Sequence, residues 1–159
     1  MPHPAPFVSR VMEIEKAWID YNGHLNMAYY NVLFDRCADN AFELMGMGPS
    51  YADRRQLTSD TAETHLCYVR ELRLGDRVTA TVQILDHDEK RIRFFQELRH
   101  VEGWLAATSE NLMLHVDVNG PKVTPFPPDI MTLVEEMSAA HASLPVPERA
   151  GRSIAILRK

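Results

Sequence analysis

The sequence predicts an α+β fold in which an antiparallel sheet of about five strands wraps around one long helix, with a short helix near the C-terminal end. Three observations lead to this prediction. One long segment carries apolar residues at helical spacing, four later segments alternate between apolar and polar residues, and short polar turns join those four segments. Strands that are joined by such short turns must run antiparallel.

Composition favours one globular domain that spans residues 1–159, with a core over about 8–118 and a helix and tail over 119–159. The chain is 45% hydrophobic and 25% charged, which is ordinary for a globular protein. No apolar run approaches the about 18 residues that a membrane span needs. The first residues show neither the basic nor the apolar region of a secretory signal. We therefore expect a cytoplasmic protein with no membrane partner.

The charge pattern excludes further classes of function. The net charge of −5 argues against nucleic-acid binding, which needs a basic face. Six arginines nevertheless fall between residues 70 and 99, where they could either attract a polyanionic small molecule or form solvated strand faces. Cys37 and Cys67 are predicted to be reduced thiols. The histidines are dispersed without ligand spacing, so no metal site is predicted, and no GxSxG motif suggests a serine hydrolase.

The first half of the chain predicts a strand over Phe7–Ile19 and a helix from about Asn26 to Met45. Asn26 is a plausible N-cap, and Gly46 can end the helix. The apolar positions at helical spacing are Met27, Tyr30, Leu33, Phe34, Cys37, Ala38, Ala41 and Met45. The polar positions on the other side are Asn31, Asp35, Asp39, Asn40 and Glu43. Because only one broad face is apolar, this helix should lie against a sheet.

The second half begins with a loop over Met47–Ser59 that includes one short helical turn. The predicted strands that follow are Thr61–Leu72, Arg77–Leu85, Arg91–His100 and Trp104–Val118. In the strand Arg77–Leu85, the alternation predicts that four side chains point inward: Val78, Ala80, Val82 and Ile84. A helix over about Asp129–Ala142 and a polar end over Pro145–Lys159 complete the chain. The outer sheet face is rich in Thr and Arg, yet a sheet of this size usually needs cover or a partner, which favours a homodimer or homotetramer.

This order of elements is compatible with the hotdog fold, and two segments strengthen the resemblance. The segment Asp20–Tyr30, DYNGHLNMAYY, resembles the signature of the 4-hydroxybenzoyl-CoA thioesterase-like branch of hotdog acyl-CoA thioesterases. That signature is an acidic residue, a polar turn with glycine, and an aromatic residue at the start of the central helix. The segment Leu72–Val78 resembles the strand-turn segment of the same family. The resemblance covers roughly residues 8–118.

A narrower resemblance covers the C-terminal half. Short segments there resemble betainyl-CoA thioesterases, which serve carnitine degradation and are sometimes fused behind a carnitine dehydrogenase. These segments are Glu63–His65, Glu89–Arg91, Ala107–Glu110, Leu114–Asp117 and His141–Pro145. The chain has no GxGxxG motif and no room for a dehydrogenase domain, so we expect the stand-alone form.

The chemistry of a thioester explains why these residue types are needed. The carbonyl is activated enough that one positioned carboxylate can suffice, as a nucleophile or as a base for water. The resulting oxyanion needs donors, which the first turn of a helix supplies. The resemblance places the catalytic carboxylate at Asp20 and the oxyanion-hole amide near Met27, while Gly23 lets the backbone approach the substrate closely.

Structural roles compete with functional ones for the neighbouring residues. Asp20 could be only a solvated turn or capping acid. His24 could orient Asp20, bind the thioester oxygen or satisfy a turn carbonyl, so it is a candidate catalytic residue. Asn22, Gly23, Asn26 and Tyr30 are candidate substrate-binding residues. Asn26 is adequately explained as a helix cap, and Tyr30 lies on the apolar stripe with a hydroxyl that could reach a pocket.

Glu63 and His65 are further candidates for substrate binding, because residues two apart share one face of a strand. If that face meets the helix, the buried carboxylate needs a cationic ligand or a hydrogen-bond network; otherwise the face is exposed. A trimethylammonium acyl group suits a carboxylate combined with aromatic faces. The candidate aromatic faces are Trp18, Tyr21 and Tyr68.

Together these observations predict an acyl-CoA thioesterase that acts on a small acyl-CoA, with betainyl-CoA as one candidate. Coenzyme A would enter as part of the substrate, and no separate cofactor is implied. One alternative is a hotdog enoyl-CoA hydratase or dehydratase, whose Asp-x-Asn-Pro-x-His pattern is one residue longer and contains a proline that Asp20–His24 lacks. Another is a non-catalytic acyl-CoA-binding module, although the chain shows no helix-turn-helix extension typical of a regulator.

Overall fold

The long helix forms as its apolar stripe predicts. In the computed structural model, which describes residues 3–158, helix α1 spans Met27–Leu44 and packs one face on an antiparallel sheet. The Asn26 side chain caps it by accepting a hydrogen bond of 3.0 Å from the Ala28 amide. Gly46, with a φ of 81°, follows its C-terminal end in the left-handed conformation that favours glycine. The predicted N-cap and the glycine at the helix end are both confirmed.

One sheet contains all the strands, in the order β1-β4-β5-β6-β3. The two shortest strands at the N-terminal end, β1 (Phe7–Val8) and β2 (Met12–Glu13), both pair with β4. The four long strands are β3 (Leu57–Tyr68), β4 (Arg77–His87), β5 (Arg91–His100) and β6 (Leu105–Asp117). The short β7 (Lys122–Val123) pairs with β6, and the remaining helices are α2 (Tyr51–Arg55) and α3 (Pro128–His141). The predicted fold class is confirmed.

The first predicted strand, Phe7–Ile19, is wrong as a continuous element. It is divided into β1 and β2, and a 3₁₀-helix follows over Lys16–Trp18. The division occurs at Ser9, whose amide donates to the Ala80 carbonyl while its hydroxyl accepts from the Ala80 amide. The Ser9 hydroxyl thus takes the place of a backbone carbonyl as the acceptor for the Ala80 amide. The regular backbone pairing with β4 is interrupted at this point.

The second predicted strand, Thr61–Leu72, is displaced along the chain, because β3 spans Leu57–Tyr68. It begins early because Gln56 ends α2 with a φ of 59° and its carbonyl already accepts from the Val118 amide. It ends early because Val69 and Arg70 both donate to the same Ala106 carbonyl, which breaks the regular pairing. The remaining long elements agree with their predicted bounds to within two residues.

The core lies between α1 and the sheet. The four side chains predicted to point inward from β4 are buried, and Phe42 of α1 meets Phe94 of β5 edge to face at 5.3 Å. Met27 is an exception to the predicted stripe, because it is 65% exposed at the first turn of α1. The helical stripe therefore holds the body of α1 against the sheet and leaves its N-terminal end accessible. No helix among residues 3–158 has the length and apolar character to cross a bilayer.

Two buried histidines join segments that are distant in the chain. His141 accepts from the Ile84 amide through Nδ1 (2.9 Å), so the other ring nitrogen carries the proton and donates to the Pro4 carbonyl (2.8 Å). His115 contacts the Thr124 carbonyl (2.9 Å) and the Tyr51 hydroxyl (3.0 Å). Burial lowers the pKa of both imidazoles below the usual value of 6.5. Both rings are therefore neutral in the folded protein at neutral pH.

We expect the free energy of unfolding to decrease as the pH falls from 7 to 5. In the unfolded chain both histidines take up protons near pH 6.5, whereas in the folded chain they resist protonation. The unfolded state then binds more protons, at a cost of at most about 1.4 kcal/mol per pH unit for each histidine. Urea unfolding at several pH values measures this effect. In the variant with both His115→Gln and His141→Gln, the free energy of unfolding should decrease less as the pH falls. A His87→Gln control should keep the wild-type dependence, and an unchanged slope in the double variant would contradict this account.

Candidate active site

A tight turn over residues 20–24 leads into α1. The Asp20 amide donates to the His24 carbonyl and the Gly23 amide donates to the Asp20 carbonyl, both at 3.0 Å. Ile19 and Leu25 pair as an isolated antiparallel bridge just outside the turn. Gly23 has a φ of 79°, a conformation that side chains other than glycine rarely adopt. The turn is therefore closed by its own backbone and places Asp20 close to the start of α1.

The Asp20 carboxylate is half-buried and only partly used by this turn. One oxygen, Oδ1, accepts a hydrogen bond of 2.9 Å from the Asn22 amide. Among residues 3–158, no group donates a hydrogen bond to the other oxygen. The side chain is thus oriented by the turn and still has a free oxygen that can meet a substrate or a water molecule.

The first turn of α1 leaves one backbone amide available. Asn26 satisfies two of the first donors, since its side chain accepts from Ala28 and its carbonyl accepts from Tyr29. Within the described residues, the Met27 amide has no acceptor. It lies at the positive end of the helix dipole, where a free N–H group can stabilise an oxyanion. The resemblance to hotdog thioesterases implies an oxyanion-hole amide near this position.

Two tyrosines support the start of the helix. Tyr68 of β3 donates from its hydroxyl to the Met27 carbonyl at 3.0 Å, and the Tyr30 hydroxyl accepts from the Leu72 amide at 3.2 Å. The two rings are 5.0 Å apart and nearly perpendicular. Burial raises the pKa of the Tyr30 phenol, and the nearby charges of Glu71, Tyr68 and Asp20 raise it further. Tyr30 is therefore a protonated core residue whose hydroxyl holds the β3–β4 loop.

His24 pairs with a residue that the sequence analysis missed. Its Nε2 lies 3.1 Å from a carboxylate oxygen of Glu71, in the loop between β3 and β4. Among the described residues, the His24 ring contacts neither the Asp20 carboxylate nor a turn carbonyl, because it meets Glu71 instead. The link from His24 to Asp20 is through the backbone, since the His24 carbonyl accepts from the Asp20 amide. No sequence pattern relates His24 to Glu71, because they belong to different segments and meet only through the fold.

Glu63 and His65 share one face of β3, as expected, but this face is turned away from α1. Thr64 between them faces the helix side, where it meets Ser109 at 3.3 Å within a polar group that includes Asn111 and Gln96. That group reaches α1 itself, because Gln96 donates to the Phe34 carbonyl. Glu63 and His65 instead line a cavity of about 360 Å³ on the outer side of the sheet. Within one chain they do not join the residues around Asp20.

The three candidate aromatic faces differ in what covers them. Trp18 is buried, stacks on Tyr29 at 5.8 Å and already carries the Arg36 guanidinium at 5.1 Å. Tyr21 is 97% exposed and lies on the turn. Tyr68 alone of the three is half-exposed and also hydrogen-bonded to the first residue of α1.

The arginine cluster divides into two groups. Three members form ion pairs with carboxylates of the same chain: Arg91 with Asp88, Arg93 with Glu110 and Arg99 with Glu97. Arg70, Arg73 and Arg77 have no such pair among residues 3–158. Arg70 and Arg73 line a cavity of about 420 Å³ next to Glu71, and Arg70 lies 4.1 Å from the centre of the Trp104 ring.

Comparison with known proteins identifies the family of this chain. The family model of the thioesterase-like superfamily matches residues 14–134. The chain is 36% identical over 140 residues to the betainyl-CoA thioesterase of Pseudomonas aeruginosa, covering 87% of this chain and 88% of that protein. It is 35% identical over 143 residues to the L-carnitine dehydrogenase/betainyl-CoA thioesterase of Rhizobium meliloti, covering 89% of this chain but only 29% of that longer protein.

A solved structure extends the similarity to the whole fold. A Staphylococcus aureus protein in complex with CoA superposes with a TM-score of 0.90 and 29% sequence identity, over 99% of this chain and 98% of the other. The resemblance inferred from the Asp20–Tyr30 segment is thus confirmed over nearly the full length. The chain belongs to the thioesterase-like superfamily and is a thioester hydrolase with the hotdog fold.

Proposed function

We propose that this chain hydrolyses betainyl-CoA to betaine and coenzyme A, with Asp20 and the Met27 amide as its catalytic groups. The observation that carries the proposal is a carboxylate with one free oxygen on a turn that leads into a helix whose first amide is also free. The substrate is supported by the two relatives, which are 36% and 35% identical and are named for this activity.

The proposed reaction adds an oxygen nucleophile to the thioester carbonyl. Asp20 either attacks the carbonyl carbon itself or takes a proton from the water that attacks it. In both routes the carbonyl oxygen becomes negative, and the Met27 amide stabilises that charge more strongly than it stabilises the neutral carbonyl. The carbon–sulfur bond then breaks, and the sulfur leaves as the thiolate of coenzyme A and takes up a proton. In the water route this step gives betaine directly. In the direct route it leaves a mixed anhydride between the betainyl group and Asp20, which a water molecule then hydrolyses to betaine and the free Asp20 carboxylate.

The other candidates of the turn support these two groups. The Asn22 amide orients the Asp20 carboxylate, and Gly23 permits the turn. Asn26 occupies the neighbouring amides of α1 and so leaves the Met27 amide for the substrate. Tyr30 and His24 connect the turn and the helix to the β3–β4 loop. We therefore assign these five residues to positioning the catalytic groups.

The phosphates of coenzyme A need cations near the site. Arg70, Arg73 and Arg77 are the members of the arginine cluster that are available for this role, because none of them is paired with a carboxylate among residues 3–158. Guanidinium groups bind phosphate through two parallel hydrogen bonds.

The functional unit in this proposal is a homodimer. Strand β3 is 12 residues long and lies at the end of the sheet, where β6 is its sole strand partner within residues 3–158. An open edge of this length favours pairing with another strand. The end of β3 also carries Tyr68, so a second copy that pairs there would cover the exposed start of α1.

Replacement of Asp20 by asparagine tests the carboxylate. Asn keeps an oxygen that can accept from the Asn22 amide, so the turn should persist, whereas the negative charge is lost. We expect kcat for betainyl-CoA to fall by about 10²–10⁴ with unchanged CoA binding, measured by thiol release and by calorimetry. The exposed Asp53→Asn change on α2 is the matched control and should keep wild-type turnover. Full activity of Asp20→Asn would remove Asp20 from the mechanism, and absence of thiol release by the wild type would favour a binding module.

Dilution tests the homodimer. If the second copy completes the site, specific activity should decline in parallel with the dimer fraction as the protein concentration falls. Sedimentation velocity and thiol-release assays over the same concentration series provide the comparison. A monomer that retains full specific activity would contradict the proposed pairing.

A further inference from the structure

The half-exposed ring of Tyr68 stands beside the proposed reaction centre. It is 45% exposed, and its hydroxyl is hydrogen-bonded to the carbonyl of Met27, whose amide is the proposed oxyanion donor. The buried ring of Tyr30 meets it edge to face and fixes its orientation. Tyr68 therefore presents a fixed aromatic surface at the first turn of α1, and such a surface attracts cations.

The Glu71 carboxylate adds a negative charge to the same place. Its side chain is 66% exposed. The next residue, Leu72, is fixed by two hydrogen bonds, because its amide donates to the Tyr30 hydroxyl and its carbonyl accepts from the Leu25 amide. Glu71 follows Tyr68 by three residues, and its carboxylate lies 3.1 Å from the ring of His24, in the turn that carries Asp20.

Neither an arginine nor a lysine forms an ion pair with this carboxylate within residues 3–158. Within residues 3–158, the one basic side chain at ion-pair distance from Glu71 is His24. The neighbouring Arg70 guanidinium lies over the Trp104 ring instead. Because no arginine or lysine pairs with it, the Glu71 carboxylate can act on a ligand.

The proposed substrate carries a cation, its trimethylammonium group, that would lie at the first turn of α1. The quaternary nitrogen of a betainyl group is two bonds from the carbonyl carbon, a distance of roughly 2.5 Å. When the carbonyl oxygen lies at the Met27 amide, the trimethylammonium group must therefore lie at the first turn of α1. A quaternary ammonium ion has no N–H group to donate, so its recognition depends on aromatic faces and negative charge.

We infer that Tyr68 and Glu71 form the subsite for the trimethylammonium group and give the enzyme its preference for a cationic over a neutral acyl group. This inference rests on the proposed function. It replaces Glu63, which lies on the opposite face of the sheet, as the carboxylate that meets the cation. Tyr68 provides the aromatic contact, and Glu71 provides the charge without taking part in bond breaking.

A neutral isostere isolates the contribution of the charge. In 3,3-dimethylbutyryl-CoA a carbon atom replaces the quaternary nitrogen, so shape is retained and charge is removed. We expect wild-type kcat/KM to favour betainyl-CoA by about tenfold or more. In Glu71→Gln this ratio should approach one while hydrolysis of the neutral thioester is retained, because the amide oxygen can still accept from His24. Tyr68→Leu should also lower the ratio.

The chain offers a matched control for the loss of a carboxylate that pairs with histidine. Glu136 on α3 is 54% exposed and lies 3.1 Å from His3, so it repeats the His24–Glu71 pair at a site outside the proposed machinery. Glu136→Gln should keep the wild-type ratio of the two substrates.

The outcomes separate the subsite from the proposed function. If the wild type cleaves both thioesters equally well, or if Glu71→Gln lowers kcat/KM for both by the same factor, the cation subsite is wrong while the thioesterase activity stands. If the wild type cleaves neither thioester, the proposed function fails and the subsite fails with it. Selective loss of betainyl-CoA hydrolysis in Glu71→Gln, with the control unchanged, supports the inference.

Discussion

The arrangement depends on one short backbone closure. The Asn26 amide donates to the Trp18 carbonyl at 2.9 Å, and the Ile19–Leu25 bridge lies directly inside it. Together they force the chain to reverse direction within the turn over residues 20–24. Asp20 consequently cannot move away from the start of α1 without breaking these hydrogen bonds. The closure therefore fixes the Asp20 residue beside the N-terminal end of α1.

The β3–β4 loop completes the site from a distant part of the chain. Leu72 is fully buried, accepts from the Leu25 amide and donates to the Tyr30 hydroxyl, so this loop is tied to both the turn and the helix. That attachment positions Glu71 beside His24, while the preceding end of β3 positions Tyr68 on the Met27 carbonyl. The loop lacks regular secondary structure, and these hydrogen bonds at Leu72 fix it to the turn and to α1.

Much of this could be predicted from the sequence, and the failures have physical causes. The stripe of α1 and the alternation of β4 each distinguish a buried from an exposed side, so these elements were predicted within two residues. Alternation does not fix where a strand starts, and β3 is displaced for that reason. Alternation also does not reveal which face of a strand meets the helix. The sequence therefore predicts that Glu63 and His65 share a face but not which side of the sheet that face is on. The His24–Glu71 pair and the Ser9 interruption depend on tertiary contacts that no local pattern records.

The Met27 amide is the most direct test of the account, because proline at this position removes the N–H group, and alanine serves as the control for loss of the exposed methionine side chain. Proline is well tolerated at the first position of a helix, and Asn26 already has the extended conformation (φ −61°, ψ 140°) that a following proline requires. Single-turnover hydrolysis of betainyl-CoA should be slower by about 10²–10³ in Met27→Pro, with a native thermal melt, whereas Met27→Ala keeps the amide and the wild-type rate. A folded Met27→Pro protein that reacts as fast as the wild type would contradict the account.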